Sequence, residues 1–399
     1  MVRILIGGDT FPGGCNLPCF EQGDAHALLG GLLPEFEAAD LRLVNLECPL
    51  IDAETPISKV GPNLGAPVAC AHGLKAMGID VACLANNHIM DHGAQGLRSS
   101  VAALEANGIA HVGAGENLAA ARRLHVHAVG GVRVGILAMA EHEFSIAGAH
   151  TPGANPLDVI DFVRRMEADR AACDVLIVLC HAGALHHPYP SPALLKMARF
   201  FVEQGADAVL CQHSHCVGCI ETYRGAPIVY GQGNFLFDHG PRPAAWYEGL
   251  LVTLTIAAGG AVEARCIPVR QCAEEPGVCR MPQAQEAAFA DALDARSAAL
   301  ADETFVEQQW QAFCRERRRY YLNRIRGRRG LVRRVVSKFG MHGNRTAPAA
   351  VRQQLHLVRC ESHREALTTV LTQEAGAVDS APCGADAVPG SSEPAREER

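Results

Sequence analysis

The chain has 399 residues, 48% hydrophobic and 20% charged, with a formal net charge of −7. That balance belongs to a globular protein with a sizeable core, one large domain plus an appendage or two domains. It excludes a chain-wide basic field for nucleic acid, and no stretch approaches the roughly 20 apolar residues of a membrane span.

The first predicted element is a short apolar strand, Val2–Ile6, emptying into a turn, Gly7-Gly8-Asp9-Thr10-Phe11-Pro12-Gly13-Gly14, with a single acid. The opening apolar run is too short for a signal peptide. Among the 16 cysteines, several (Cys83, Cys180, Cys211) fall inside apolar strands, so reduced thiols and a cytoplasmic setting are expected. The glycines fit neither phosphate-loop pattern and instead let the backbone pass close to whatever Asp9 holds. Leu41–Leu46 is the second strand and ends at Glu47.

Ile79–Cys83 is strand-like and runs into Leu84–Gly96, where Asn86, Asn87, His88 and Asp91 crowd one turn. A helix with Leu97, Val101 and Leu104 on one face follows. An Asn-rich turn with His88 capping that helix is the bland alternative. In the functional one, an amide oxygen ligates a metal, the imidazole works as acid or base, and Asp91 orients it.

Val132–Met139 is the next long strand, with Ala140-Glu141-His142-Glu143 at its end, and Asp158–Ala172 is helical. Val175–Cys180 is continuously apolar, as in a strand buried on both faces, and ends in His181-Ala182-Gly183. After a helix over Ser191–Gln204, the strand Asp207–Cys211 ends in Gln212-His213-Ser214-His215. A hairpin, Ile220–Tyr230, leads to Gly231–Asp238, and Leu250–Ile256 pairs with Val262–Val269. Cys216-Val-Gly-Cys219 lacks the second pair of a zinc knuckle.

The character changes near Glu274–Pro282. Helices are predicted over Gln283–Ala301, Glu303–Tyr321 and Arg352–Gln373, with a basic, apolar-interleaved segment over Arg315–Lys338. From Gly376 the composition is that of a disordered tail. The expected division is a main domain over 1–273, a helical extension over 274–375 and a tail over 376–399.

Asp9, Glu47, Asn87, His88, His181, His213 and His215 all lie just beyond strand ends, and open α/β sheets gather those ends on one rim. Two carboxylates, a carboxamide and imidazoles suit Mn, Fe or Zn better than Mg or Ca. The set suffices for two ions bridged by Glu47, which clamps attacking and leaving oxygens at phosphorus or a carbonyl. Separate buried or solvated histidines are the alternative.

Taken in order, Asp9, Asn45-Leu46-Glu47, Leu84-Ala-Asn-Asn-His88 with Asp91 and Gly93, His181-x-Gly, His213-x-His215 and Gly233-Asn234-Phe-x-Phe-Asp238 are similar to a known family. The chain resembles, over roughly residues 2–270, the bacterial capsule-synthesis and poly-γ-glutamate-synthesis (CapA-like) family of the calcineurin-like metallophosphoesterase superfamily. The resemblance implies an α/β fold, a four-layer α/β/β/α sandwich with a metal site on one rim. It implies that Asp9 and His215 hold a first metal, that Glu47 bridges, and that Asn87, His181 and His213 hold a second. His88 is then the acid, Asp91 sets its tautomer, and Asn86 and Asn234 bind substrate. Two departures stand out. Phe11 occupies the place of the superfamily's Asp-x-His histidine, and Ala184-Leu185 follow Gly183 where a glutamate is usual, with His186 or His187 as replacements.

The expected protein is a cytoplasmic metal-dependent hydrolase or transferase with one or two divalent ions (Mn, Fe or Zn). It acts on a phosphoester, or an amide or ester bond, in an anionic capsule, poly-γ-glutamate or exopolysaccharide polymer or its lipid-linked precursor. The alternative is a non-catalytic, metal-binding, polymer-handling subunit of a synthesis complex. Segment 315–338 either docks on the inner-membrane surface or is a solvated helix face.

Overall fold

Alternation along the central strands sets the layers. Val175–His181 is buried throughout; Ile177 and Leu179 enter one core with Val134, Ile136 and the strands of a first sheet. Leu176, Val178 and Cys180 point the other way, against Phe162, Leu194 and Phe201 of flanking helices. A strand covered on both faces is the natural use of a continuous apolar run.

The computed structural model describes residues 1–240, 242–271, 275–326 and 348–379. The first sheet runs, in spatial order, Val278–Arg280, Val262–Gln271, Glu248–Ile256, Val2–Phe11, Leu41–Leu46, Val81–Cys83 and Ala110–Val112, with Asn234–Phe237 also paired to Val2–Phe11. The second runs Ile220–Tyr223, Ala226–Val229, Ala208–Gln212, Val175–His181, Val132–Ala140 and His125–Val129. The sheets face each other across the larger core, and helices Val159–Ala172 and Pro192–Glu203 cover the second from outside. This is the α/β/β/α sandwich. Because Val278–Arg280 completes the first sheet, the sandwich runs past residue 273, the expected boundary.

The parallel pairings position the site. Val2–Phe11 runs parallel to Leu41–Leu46 with Asp9 opposite Asn45, and Val175–His181 runs parallel to both its neighbours, with His181 opposite Ala140 and Gln212. Parallel strands end on the same side, so both sheets deliver their C-terminal ends to one rim.

Asp9 sits within a strand and not in the expected turn. Gly7 and Gly8 carry the strand on because the Gly231–Asn234 backbone presses against it: a Cβ on Gly8 would lie 2.3 Å from the Gly233 carbonyl oxygen. The ladder shifts register on both sides of Asp9, an irregularity of the kind that re-aims a side chain.

The C-terminal extension contributes helices Gln283–Ala298, Glu303–Arg326, Pro348–Arg359 and Glu361–Asp379. The last three build their own small core around Trp310, Tyr321, Leu357 and Val370. They are tied to the sandwich just beyond Val132–Ala140: Ser362 Oγ donates to Glu141, and Glu361 accepts from the backbone and ring of His142 at 2.8 and 2.7 Å. Of the basic segment, residues 327–338 lie outside the described residues, as do 380–399 of the expected tail. Within the described part, Arg318 pairs with Glu374 and Arg324 stacks 3.3 Å over the Tyr320 ring.

Two histidines of the extension make its docking acid-sensitive. Burial, reinforced by His356 and Arg324, pulls His363 down to about 3, and burial, with Arg324 and Lys59, pulls His356 to about 4. An unfolded histidine titrates near ~6.5 and takes up protons that the docked helices refuse, so this stability is complete above that pH and lost as pH falls toward about 4. Between pH 7.5 and 5, urea unfolding of metal-free protein should show His363→Gln losing about 2 kcal/mol less stability than wild type.

Candidate metal centre

At the rim the predicted residues converge. Asp9, Glu47 and His215 form one group of converging donor atoms, and Glu47, His181 and His213 form a second, all buried. His181 Nε2 lies 3.0 Å from His213 Nδ1, 3.0 Å from Asn87 Oδ1 and 3.3 Å from Glu47 Oε1. His215 Nε2 lies 3.8 Å from Glu47 Oε1 and its Nδ1 3.4 Å from Asp9 Oδ2.

The two carboxylates differ in their surroundings. Asp9 accepts from Asn45 Nδ2 at 2.7 Å and from the His213 backbone N–H at 3.0 Å. Glu47 is fully buried, and neither oxygen has a hydrogen-bond partner. Burial, then the adjacent Asp9, pushes its carboxyl well above the usual range. A buried carboxylate without donors costs several kcal/mol. Orphaned oxygens facing imidazole and amide donors are what a divalent cation relieves, so the residues present fit a metal. Burial also lowers His181 and His213, which keeps their ring lone pairs available.

His88 takes no part in either cluster. Its Nδ1 lies 2.6 Å from Asp91 Oδ2, and the N-cap of helix Gly93–Ala106 is His92, so His88 is not its cap. Lys59 Nζ ion-pairs with the other Asp91 oxygen, both side chains buried. Its 3.1 Å approach to His88 Nδ1 follows from both groups donating to one carboxylate. With the Nδ1 proton held by Asp91, Nε2 carries the lone pair. Burial lowers His88 to about 4, so the ring starts neutral, as a proton acceptor, and serves as an acid only after taking up a proton.

Asn86 and Asn234, expected to bind substrate, are engaged within the fold. Asn86 donates to the Leu46 carbonyl at 2.8 Å and accepts from the His88 N–H at 3.1 Å, fixing the turn. Asn234 accepts from His215 Nδ1 at 2.8 Å and donates to the Trp246 carbonyl, fixing that ring. Both are buried and positional. Phe11 packs on Phe237 and supplies no ligand, leaving the Asp9 cluster with three protein donors.

Where the usual glutamate after Gly183 is missing, Glu143 arrives from another strand end. Its Oε1 lies 3.6 Å from His213 Nε2, and its Oε2 accepts from Asn87 at 3.5 Å. His187 instead stacks on Phe313 at 4.5 Å, and His186 faces His215 and Trp246. Glu143 and Lys59 were both missed by the sequence reading. Glu143 carried the same signal as the chosen residues, an acid beyond a strand; Lys59 lies in an irregular loop with none. Cys216 and Cys219 are buried thiols pushed up to about 11 and about 12, and no cysteine joins a cluster among the described residues.

A family model described as bacterial capsule synthesis protein PGA_cap matches residues 3–239. The chain belongs to this family. It is similar to the PGA biosynthesis protein CapA of Bacillus subtilis (29% identical over 242 residues, 58% of this chain and 62% of that one). It is 30% identical over 217 residues to the capsule biosynthesis protein CapA of Bacillus anthracis, covering 52% of this chain and 53% of that one. A probable polyglutamine synthesis accessory protein of Mycobacterium tuberculosis is 34% identical over 274 residues, 62% of this chain and 69% of that one. The PGA_cap chain thus spans only 62% and 53% of the two Bacillus proteins. Among solved structures, a 5'-nucleotidase precursor from Thermus thermophilus superposes with a TM-score of 0.42 at 15% identity, over 79% of this chain and 58% of that one.

The buried Lys59–Asp91 pair gives a sharp test of the His88 turn. Lys59→Met should leave the buried Asp91 charge without its cation, held among the described residues only by the His88 ring and the Leu64 N–H, and destabilise the fold by about 3–5 kcal/mol in urea unfolding. Adding Asp91→Asn should recover most of that loss.

Proposed function

We propose that this PGA_cap chain is a metal-dependent hydrolase or transferase. It would act on a phosphoester, or on an amide or ester bond, in an anionic capsule, poly-γ-glutamate or exopolysaccharide polymer or a lipid-linked precursor. One observation carries the reading: Glu47 presents two unpartnered, buried carboxylate oxygens to both donor clusters. The names of the two Bacillus relatives supply the polymer class.

In this reading Asp9, Glu47 and His215 hold one divalent ion, and Glu47, Asn87, His181 and His213 a second, with Mn, Fe or Zn best suited to the mixed oxygen and nitrogen donors. Such ions supply Lewis-acid polarisation and an activated water. The chain's own groups do the rest. Asp91 holds the Nδ1 proton of His88, so Nε2 accepts a proton from the attacking water and returns it to the leaving group. Asn234 and Asn86 keep His215 and the His88 backbone in place.

The second reading is a metal-binding, polymer-handling subunit without turnover. Phe11, in place of a histidine ligand, favours it because the Asp9 cluster is left with few protein donors.

Metal stoichiometry alongside turnover of an aryl phosphodiester with Mn²⁺ separates the two. His181→Ala and His213→Ala should each lose most of one ion, and Glu47→Ala should lower occupancy at both positions. His88→Ala should retain metal while turnover falls about 10²–10⁴-fold. A wild-type protein that holds metal yet turns over no phosphodiester, amide or ester substrate establishes the subunit reading. Metal loss in His88→Ala as severe as in His213→Ala overturns the assignment of roles in the turn.

A further inference from the structure

The C-terminal helices lie outside the residues matched to the family, yet they reach the metal centre. A cavity of about 160 Å³ opens between the two parts, lined by His186 and His213 of the sandwich and by Arg317, Tyr320, Tyr321 and His363 of the extension. His213 belongs to the second donor cluster, so this space adjoins the metal position directly.

Arg317 is the one lining residue with a permanent charge. The cavity's other histidines, His186 and His363, are kept neutral chiefly by burial. Other cations nearby are already committed: Lys59 to Asp91, Arg318 to Glu374, Arg324 to the face of Tyr320. Arg317 rests 5.4 Å over the Phe313 ring, and among the described residues no carboxylate pairs with it. A half-buried guanidinium with its N–H fork unused is suited to bidentate capture of an oxyanion. Tyr320 and Tyr321 line the same cavity, the Tyr321 hydroxyl held by His363 Nδ1 at 3.0 Å. Arg242, held 5.1 Å over Trp246, adds positive potential at His186; Glu143, 3.6 Å from His213, is an acid that acts in the opposite sense.

We propose that Arg317 binds an oxyanion of the substrate, a phosphate or a carboxylate, in the cavity beside the second donor cluster. The extension thereby completes the substrate site that the sandwich alone leaves open. The word substrate rests on the function proposed above; the oxyanion site does not.

The test is calorimetric titration of the full-length, Mn²⁺-treated protein with inorganic phosphate and, separately, with glutarate, comparing wild type, Arg317→Gln and Arg317→Lys. Metal content and thermal midpoint are measured on the same samples. Arg317→Gln should bind its oxyanion about 10–100-fold more weakly with both controls unchanged, as expected for loss of charge-assisted hydrogen bonds. Arg317→Lys should fall between, keeping the charge without the fork. Whichever probe shows the loss identifies the oxyanion. Affinities for both probes within two-fold of wild type in Arg317→Gln overturn the proposal, as does a wild type that binds neither. If Arg317→Gln does not fold, Arg317→Lys is judged by the same two criteria. Arg317-dependent binding in a protein that takes up no metal leaves the subsite standing and sinks the metal-dependent function. Full metal content with Arg317-independent binding does the reverse.

Discussion

The centre is organised by one unsatisfied charge. Glu47 lies where the first sheet's strand ends, fully buried, with both oxygens unpartnered and with Asp9 close enough to raise its carboxyl further. His215 and Lys59 offset part of that cost by charge, but among the described residues no group donates a hydrogen bond to either oxygen, although donors are plentiful nearby. Asn45 and the His213 backbone are turned to Asp9, and Asn86 to Leu46. The fold therefore distributes its hydrogen bonds so that the ligand atoms pointing inward remain open. A protein selected for stability alone would place an apolar residue here.

Backbone strain falls in the same place. His186, His213 and His215 have φ of 60°, 96° and 51°, in the left-handed region that suits glycine. Each such residue costs on the order of 1–2 kcal/mol. The strain at His213 has a visible return, because that conformation aims its backbone N–H at Asp9 while its ring meets His181. At His215 the ring is clamped by Asn234 and by Trp246, 4.5 Å away.

Much of this was legible in the chain. Leu41–Leu46 has the expected bounds, Val175–His181 and Ala208–Gln212 end one residue beyond theirs, and Asp9, Glu47, Asn87, His181, His213 and His215 come together. Legibility came from a local pattern, an apolar run stopped by a ligand-type side chain. Where contact depends on distant segments, the pattern says nothing. Asp9 read as a turn residue because Gly7-Gly8 resembles one, whereas the strand persists through the close approach of Gly233. Lys59 meets Asp91 across an irregular loop, and Ser362 meets Glu141 from 221 residues away. Asn86 and Asn234 show the same limit, because an amide that positions a ligand and one that binds substrate look alike in sequence.

The helical extension follows from a geometric limit of the sandwich. Strand-end residues can ring a metal position, but they leave the space in front of it open to solvent, where an imidazole or carboxylate is strongly screened. Covering that rim requires chain from elsewhere, and here it comes after the last strand. Its attachment points, His142 to Glu361 and Glu141 to Ser362, lie immediately before Glu143, the carboxylate that faces His213. The segment after Val132–Ala140 thus does two jobs at once: it supplies an acid to the centre and anchors the helices that roof it. A change in the seating of the extension acts directly on the backbone carrying Glu143. Coverage and metal-site geometry are for that reason coupled through three consecutive residues.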